Sequence, residues 1–239
     1  MHDMSFKDDL VKVPRTLNTR TAVPNVCVIR PKLPETVYVI ASGPNGTEAA
    51  LQIPDSACTI SCNSAVLMPR RFSWTIFFDH RIVCYGWWKD FDLKGAKVLA
   101  SARLLNRLSL PPAVRQIPVA AYFEYLPHIT WPHGNDPKAP KMPRAQFLDP
   151  TRLRGGTTVS GVAVQFAHYG GAKNIVLCGV DMTGTGHFDG YINADPFKLC
   201  GGVWPWCEPL QILCDLVTER GSKVWTLSRT ALKLPEWKL

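Results

Sequence analysis

The side chains best suited to chemistry fall into two groups. In the first, His187 stands between Gly186 and Phe188, Asp189 follows closely, and Asp181 comes shortly after the apolar run at 174–178 (NIVLC). A hydroxyl acting as nucleophile needs a base with a pKa near neutrality, which an unperturbed imidazole supplies. Asp189 is spaced to orient that imidazole or, with Asp181, to hold a divalent ion such as magnesium beside a diphosphate. The catalytic candidates are therefore His187, Asp189 and Asp181. The plainer alternative is a surface-loop histidine and a turn aspartate. His80 and His133 are second-rank bases, while His168, inside a helical pattern, reads as a packing or surface residue.

The second group begins at residues 37–40 (VYVI), which enter the small-residue turn Ser42-Gly43-Pro44-Asn45-Gly46 before Thr47 and Glu48 open a helix-favouring stretch. A continuous apolar run suits a parallel strand covered on both faces. A turn without bulk lets backbone N–H groups approach an anion at the following helix start. The turn is neither G-x-G-x-x-G nor a P-loop, so the expectation is a general phosphate or nucleotide site.

Further short strands are predicted at 58–61 (CTIS), 74–78 (WTIFF), 97–100 (KVLA) and 117–121, with a short edge strand at 26–29. Each main strand stops at a polar or small residue, and Asn45, Asn63, Asp79 and Ser101 would share one rim if these strands are parallel neighbours. Ligands of open α/β sheets sit outside the carboxyl ends of the strands; taken singly, each of these residues also suits a helix cap. Downstream, Gly155-Gly156-Thr157-Thr158 leads into a helix from Val159 that starts with Ser160 and Gly161 and stops at Gly170-Gly171. A strand at 174–178, a helix at about 208–220 and a strand at 223–227 close the pattern. Strand and helix alternate throughout, which predicts a three-layer α/β sandwich with a mostly parallel sheet.

Length and composition bound this reading. The 239 residues, 46% hydrophobic and 19% charged, describe one globular domain at 36–239 behind an N-terminal arm at 1–35. No apolar run reaches the ~20 residues of a membrane helix, and the N-terminus lacks a signal-peptide pattern. Eight cysteines spread through apolar segments read as reduced thiols of a cytoplasmic protein; Cys200 and Cys207 fit no zinc spacing. The net charge of +8 favours an anionic partner, either a phosphorylated donor, an acidic glycan or nucleic acid. A proline-rich insertion at 122–154 carries Trp131, His133 and Lys138 and is expected to be a mobile lid over the rim. Trp204 and Trp206 suit either stacking on a base or sugar, or the core of the last helix.

The pairing of ASGPNG with TTVSGVAVQFAHYGGAKNIVLCGVDMTG resembles the bacterial lipo-oligosaccharide sialyltransferases (glycosyltransferase family 42) and the related family of 6-hydroxymethylpterin pyrophosphokinases. The shared positions are Gly43 and Pro44, Asn63, Ser160 and Gly161, then Gly179 and Asp181. The resemblance implies a Rossmann-like fold holding an activated donor. Ser42 and Gly43 would line its phosphates, Asn63 would contact the nucleotide, and Ser160 and Gly161 would hold its phosphate or sugar. Asn45 and Asp79 complete the expected donor-binding set on the rim. The chain departs from the sialyltransferase pattern at Thr183 and Asp189, at Thr157, and at Gly202-Val203-Trp204, so what carries over is transfer from a nucleotide-activated donor. The leading expectation is a glycosyltransferase using a nucleotide-sugar, with a glycan or, as in phage-type base modification, DNA as acceptor. The alternatives are a metal-dependent pyrophosphoryl transferase using a nucleoside triphosphate, and a nucleic-acid-binding protein without chemistry.

Overall fold

The computed structural model describes residues 31–78, 82, 85–89, 91–101, 119–123, 144, 147, 148, 153, 158–183, 186 and 206–239. Seven strands, β1 (Thr36–Ile40), β2 (Cys58–Cys62), β3 (Trp74–Phe77), β4 (Lys97–Ser101), β5 (Val119–Phe123), β6 (Asn174–Cys178) and β7 (Lys223–Thr226), form a single sheet in the order β5-β4-β3-β2-β1-β6-β7. Every pairing is parallel, so the sheet expected to be mostly parallel is wholly so. The last of the first-half strands lies two residues later than its apolar pattern placed it. The pairing of β4 with β5 shifts register between Val98 and Leu99.

Among the described residues three α-helices accompany the sheet: α1 (Gly46–Gln52), α2 (Val159–Tyr169) and α3 (Cys207–Glu219). The Thr158 side chain caps α2 by accepting from the Gly161 N–H at 3.2 Å, and Gly171 takes the left-handed turn beyond its end. Pro209 is tolerated because it falls in the first turn of α3, where its missing N–H would have no intrahelical partner.

Alternation along β1 explains why its sequence shows none. Val37 and Val39 join one core with Val162, Phe166, Leu213 and Val217 from α2 and α3. Tyr38 and Ile40 join the opposite core with Ala49, Ala50 and Ile53 around α1. Both faces are covered, giving the three-layer α/β sandwich. Phe166 meets Trp74 edge-to-face at 4.9 Å, joining α2 to the middle of the sheet.

Two expected segments are anchored more firmly than their composition implied. Leu33, placed in the N-terminal arm, is buried, and its N–H donates to the Gly170 carbonyl at 2.8 Å. Tyr122 and Phe123 belong to β5, and Phe147, Leu148 and Leu153 are core residues, so the 122–154 insertion is tied to the domain at both ends. Its remaining positions except Arg144, and the edge strand at 26–29, lie outside the described residues.

Candidate functional site

Chain order along the sheet reverses between β1 and β6, which makes their carboxyl ends the topological switch point where open α/β folds bind ligands. The β1–β6 ladder continues past both strands, with the Ala41 N–H donating to the Cys178 carbonyl and the Gly43 N–H to the Gly179 carbonyl, each at 2.8 Å. Two turns are thereby pressed together backbone to backbone. A Cβ on Gly43 would lie 2.3 Å from the Gly179 oxygen, one on Gly46 2.6 Å from the Ala41 oxygen, and one on Gly179 2.6 Å from the Gly46 Cα. Gly179 also adopts φ +66°, which disfavours any side chain. These glycines have a structural reason to be where they are.

Asp181 is the chemical centre of this junction. It is only 6% exposed; Oδ2 accepts from the Asn45 N–H at 3.4 Å, and Oδ1 is buried with no hydrogen-bond partner among the described residues. Burial pushes its pKa up, and hydrogen bonds from the Asn45 backbone and side chain partly oppose that rise. An unpartnered buried carboxylate oxygen costs stability and needs an explanation. The same carboxylate changes the reading of the first turn. Where the sequence led to a phosphate against Ser42 and Gly43, Asp181 Oδ2 sits 2.5 Å from the ideal Cβ position of Gly43. A second anion there would meet a negative charge directly.

The other candidates gather along the same edge, several with local partners. Ser42 is half-buried and Asn45 exposed, and the Asn45 side chain does not cap α1. Asn63, with φ +49°, accepts the Phe78 N–H on Oδ1 at 3.1 Å, and Ser101 Oγ donates to the Phe78 carbonyl at 3.0 Å. Both side chains thus stitch the ends of β2, β3 and β4 together. Ser160 is buried at the start of α2 and hydrogen-bonds the Cys62 thiol at the end of β2. The Gly161 N–H is occupied by Thr158, while the amides of Val159 and Ser160 precede the first intrahelical bond, from the Val162 N–H to the Thr158 carbonyl. Ser42, Asn63, Ser160 and Asp181, far apart in sequence, therefore all lie at strand carboxyl ends or at the helix start facing them. Asp79, His187 and Asp189, together with His80, His133 and Trp204, lie outside the described residues. Trp206 packs against the main core beside α3, and His168 lies at the opposite edge of the sheet.

Sequence reasoning missed the segment after β7. Ser228 Oγ accepts the Gly179 N–H at 2.8 Å, which brings a third stretch of chain to the switch point. The signal was present: Ser228 is the polar residue after the last strand, as Asn63 is after the second.

The described thiols are free and unreactive by environment. Burial pushes Cys62 and Cys178 up to about 12, so neither forms a nucleophilic thiolate at neutral pH. Among the described residues no three His, Cys, Asp or Glu side chains cluster as metal ligands. Among the described residues no helix is long and apolar enough to cross a membrane.

No protein-family model matches this chain, and no curated protein matches it in sequence. Among solved structures it is similar to the MAf glycosyltransferase from Magnetospirillum magneticum AMB-1, with 16% identity and a TM-score of 0.53 over 86% of this chain and 33% of that one. The chain spans about a third of that neighbour's length, and what the two share is an α/β, Rossmann-like fold.

Proposed function

We propose that this chain is a transferase acting on a nucleotide-activated donor, in the first instance a glycosyltransferase that moves a sugar from a nucleotide-sugar to a hydroxyl acceptor. The observation that carries the reading is the Asp181 carboxylate at the switch point, with Oδ2 held by the first turn and Oδ1 buried and unpartnered. The likeness of the fold to that of a glycosyltransferase supports it. In this reading ligand binding opens the turn enough for Oδ1 to receive a hydroxyl of the ligand, a better match than a phosphate. The donor phosphate is better placed at the amides of Val159 and Ser160. His187, oriented by Asp189, takes the proton of the acceptor hydroxyl. The oxygen then attacks the anomeric carbon, and the bond to phosphate breaks with its electron pair leaving on the nucleotide. The acceptor is a glycan or, given the +8 charge, DNA.

One observation favours a second reading. A carboxylate beside the expected phosphate position is what a bridging magnesium requires, as in pyrophosphoryl transfer from a nucleoside triphosphate. EDTA would abolish that activity and spare a metal-independent glycosyltransferase.

The test is a thermal-shift screen of CMP-, UDP-, GDP- and ADP-linked sugars and nucleoside triphosphates at millimolar concentration. Ligand at a hundred times its Kd stabilises by about 2.7 kcal/mol, a Tm rise of several degrees. No rise with any nucleotide class would overturn the proposal.

A further inference from the structure

The chain does not leave the sheet after β7. Residues 235–237 lie back along that strand: Thr226 and Glu236 form a parallel bridge, the Thr226 N–H donates to the Pro235 carbonyl at 2.9 Å, and the Trp237 N–H donates to the Thr226 carbonyl at 2.7 Å. Between β7 and this return, residues 228–231 meet the β6 turn one residue at a time. Ser228 Oγ accepts the Gly179 N–H at 2.8 Å, Thr230 Oγ1 donates to the Val180 carbonyl at 2.6 Å, and the Ala231 N–H donates to the Asp181 carbonyl at 2.9 Å.

The bracing segment is itself fixed to the body of the domain. Leu232 is buried in the main core, the Lys233 N–H donates to Gln211 Oε1 on α3 at 2.7 Å, and the Trp237 ring meets Tyr38 and Trp225 edge-on. The β6 turn is not a conformation the chain would keep unaided. Met182, next to Asp181, has strained left-handed backbone at φ +58°, while Gly179 takes φ +66°, which glycine adopts freely. Such strain persists only where surrounding structure over-determines it. Here that structure is the segment after β7.

We infer that residues 228–231 form a clamp that sets the position of the Asp181 carboxylate, with Ser228 and Thr230 as positioning residues for the site. The inference rests on the proposed role of Asp181 in meeting the ligand. The Ser228 and Thr230 hydroxyls bond the backbone that carries Asp181, not its side chain, and Thr230 Oγ1 also accepts the Leu232 N–H at 3.2 Å. Removing either hydroxyl lets the turn relax and the carboxylate move toward water.

The position of the carboxylate can be read without substrate by following the Asp181 side-chain carbon by NMR through an acid titration. In Thr230→Val and Ser228→Ala the midpoint should fall toward the ordinary carboxylate range, since burial is the main cause of its elevation. Thr230→Ser, which restores the hydroxyl, should return the wild-type midpoint. If Thr230→Val fails to fold, Ser228→Ala carries the same measurement. A midpoint unchanged from wild type, with Tm lowered, would make the segment a brace with no bearing on the site and overturn the inference. Absence of any nucleotide-induced Tm shift in the wild type would sink the donor reading while leaving this titration to judge the clamp.

Discussion

The two edges of the sheet are built on different terms. At the amino edge backbone groups pair closely: the Lys173 and Asn174 N–H groups donate to the Glu35 carbonyl at 2.8 and 2.9 Å, and the Lys223 N–H donates to the Lys173 carbonyl at 2.7 Å. His168, Ser222 and the Ala172 carbonyl form a continuous chain of hydrogen bonds there. At the carboxyl edge Asp181 Oδ1 lacks a partner. Asn63 directly after β2 and Met182 four residues after β6 hold left-handed backbone. The third such non-glycine residue among those described, Lys94, sits in an exposed turn whose N–H is satisfied by Asp92 Oδ1. Among the described residues Trp88 Nε1 and Trp237 Nε1 are also buried without a partner, so what sets the carboxyl edge apart is an unmet carboxylate oxygen beside left-handed non-glycine backbone. One edge serves stability; the other sacrifices some of it.

Paired glycine substitutions would sharpen this contrast most. Gly43→Ala drives a methyl into the Gly179 carbonyl and the Asp181 carboxylate, and neither turn can retreat without breaking the β1–β6 ladder. We expect a loss of about 3 kcal/mol, hence a Tm lower by roughly 6–12 °C. Gly221→Ala at the amino edge meets nothing within 4 Å and has only its φ of +95° to object, costing about 1 kcal/mol. Equal Tm losses would mean that the junction at the switch point is no tighter than an ordinary helix terminus.

Asp181→Asn separates function from stability at the same place. Removing the charge should weaken turnover or nucleotide binding about 10–10²-fold, the worth of a hydrogen bond to a charged group. Its Tm at pH 7 should equal or exceed that of the wild type. The sign follows from the raised pKa: the folded protein favours protonated Asp181, so that contribution to stability is present below the unfolded value near 3.9 and is lost as pH rises through the folded one. The variant's advantage should therefore shrink as the pH falls through that window. A Tm well below wild type at pH 7 would make Asp181 a structural tie between the two turns.

Much of the fold was legible because strand patterns and punctuation agree. Residues 37–40 and 175–178 are apolar throughout since both faces are covered, and Gly170-Gly171 and Gly221 mark helix ends. The rim was legible as well, since a polar residue after each parallel strand must fall on one edge. What the sequence hid was the use of each side chain. Nothing in the order of residues says that Asn63 and Ser101 both bond the backbone of Phe78, or that the aspartate of Gly179-Val180-Asp181 reaches back to Asn45. The close approach of Gly43, Gly46 and Gly179 is equally invisible, because glycine in a turn looks the same whether a ligand or a second turn occupies the space. Ser228 is 47 residues beyond Asp181, and only folding places it at the neighbouring turn.

The smallest expected effect belongs to His168. Ser222 gives its one hydroxyl proton to the Ala172 carbonyl at 2.6 Å, so it must accept from His168 Nδ1–H at 2.8 Å, leaving Nε2 as the nitrogen that titrates. Burial lowers the His168 pKa, and the positive charges of Arg220 and Lys173 lower it further. The folded state therefore disfavours the imidazolium, so the contribution to stability is whole above the unfolded value of about 6.5 and is lost as pH falls through the depressed folded value. His168→Phe keeps a ring beside Tyr169 but removes both the hydrogen bond and the titration. At pH 7.5 it should cost about 0.5–1.5 kcal/mol in urea denaturation, the net worth of one hydrogen bond. Between pH 6.5 and 5 the wild type should lose more stability than the variant, so the two curves converge on acidification. Nucleotide affinity should not change in either direction, since His168 lies at the far edge from Asp181. Curves that stay parallel across this range would remove His168 as an acid-sensitive element of the amino edge, and altered affinity would show that the two edges are not independent.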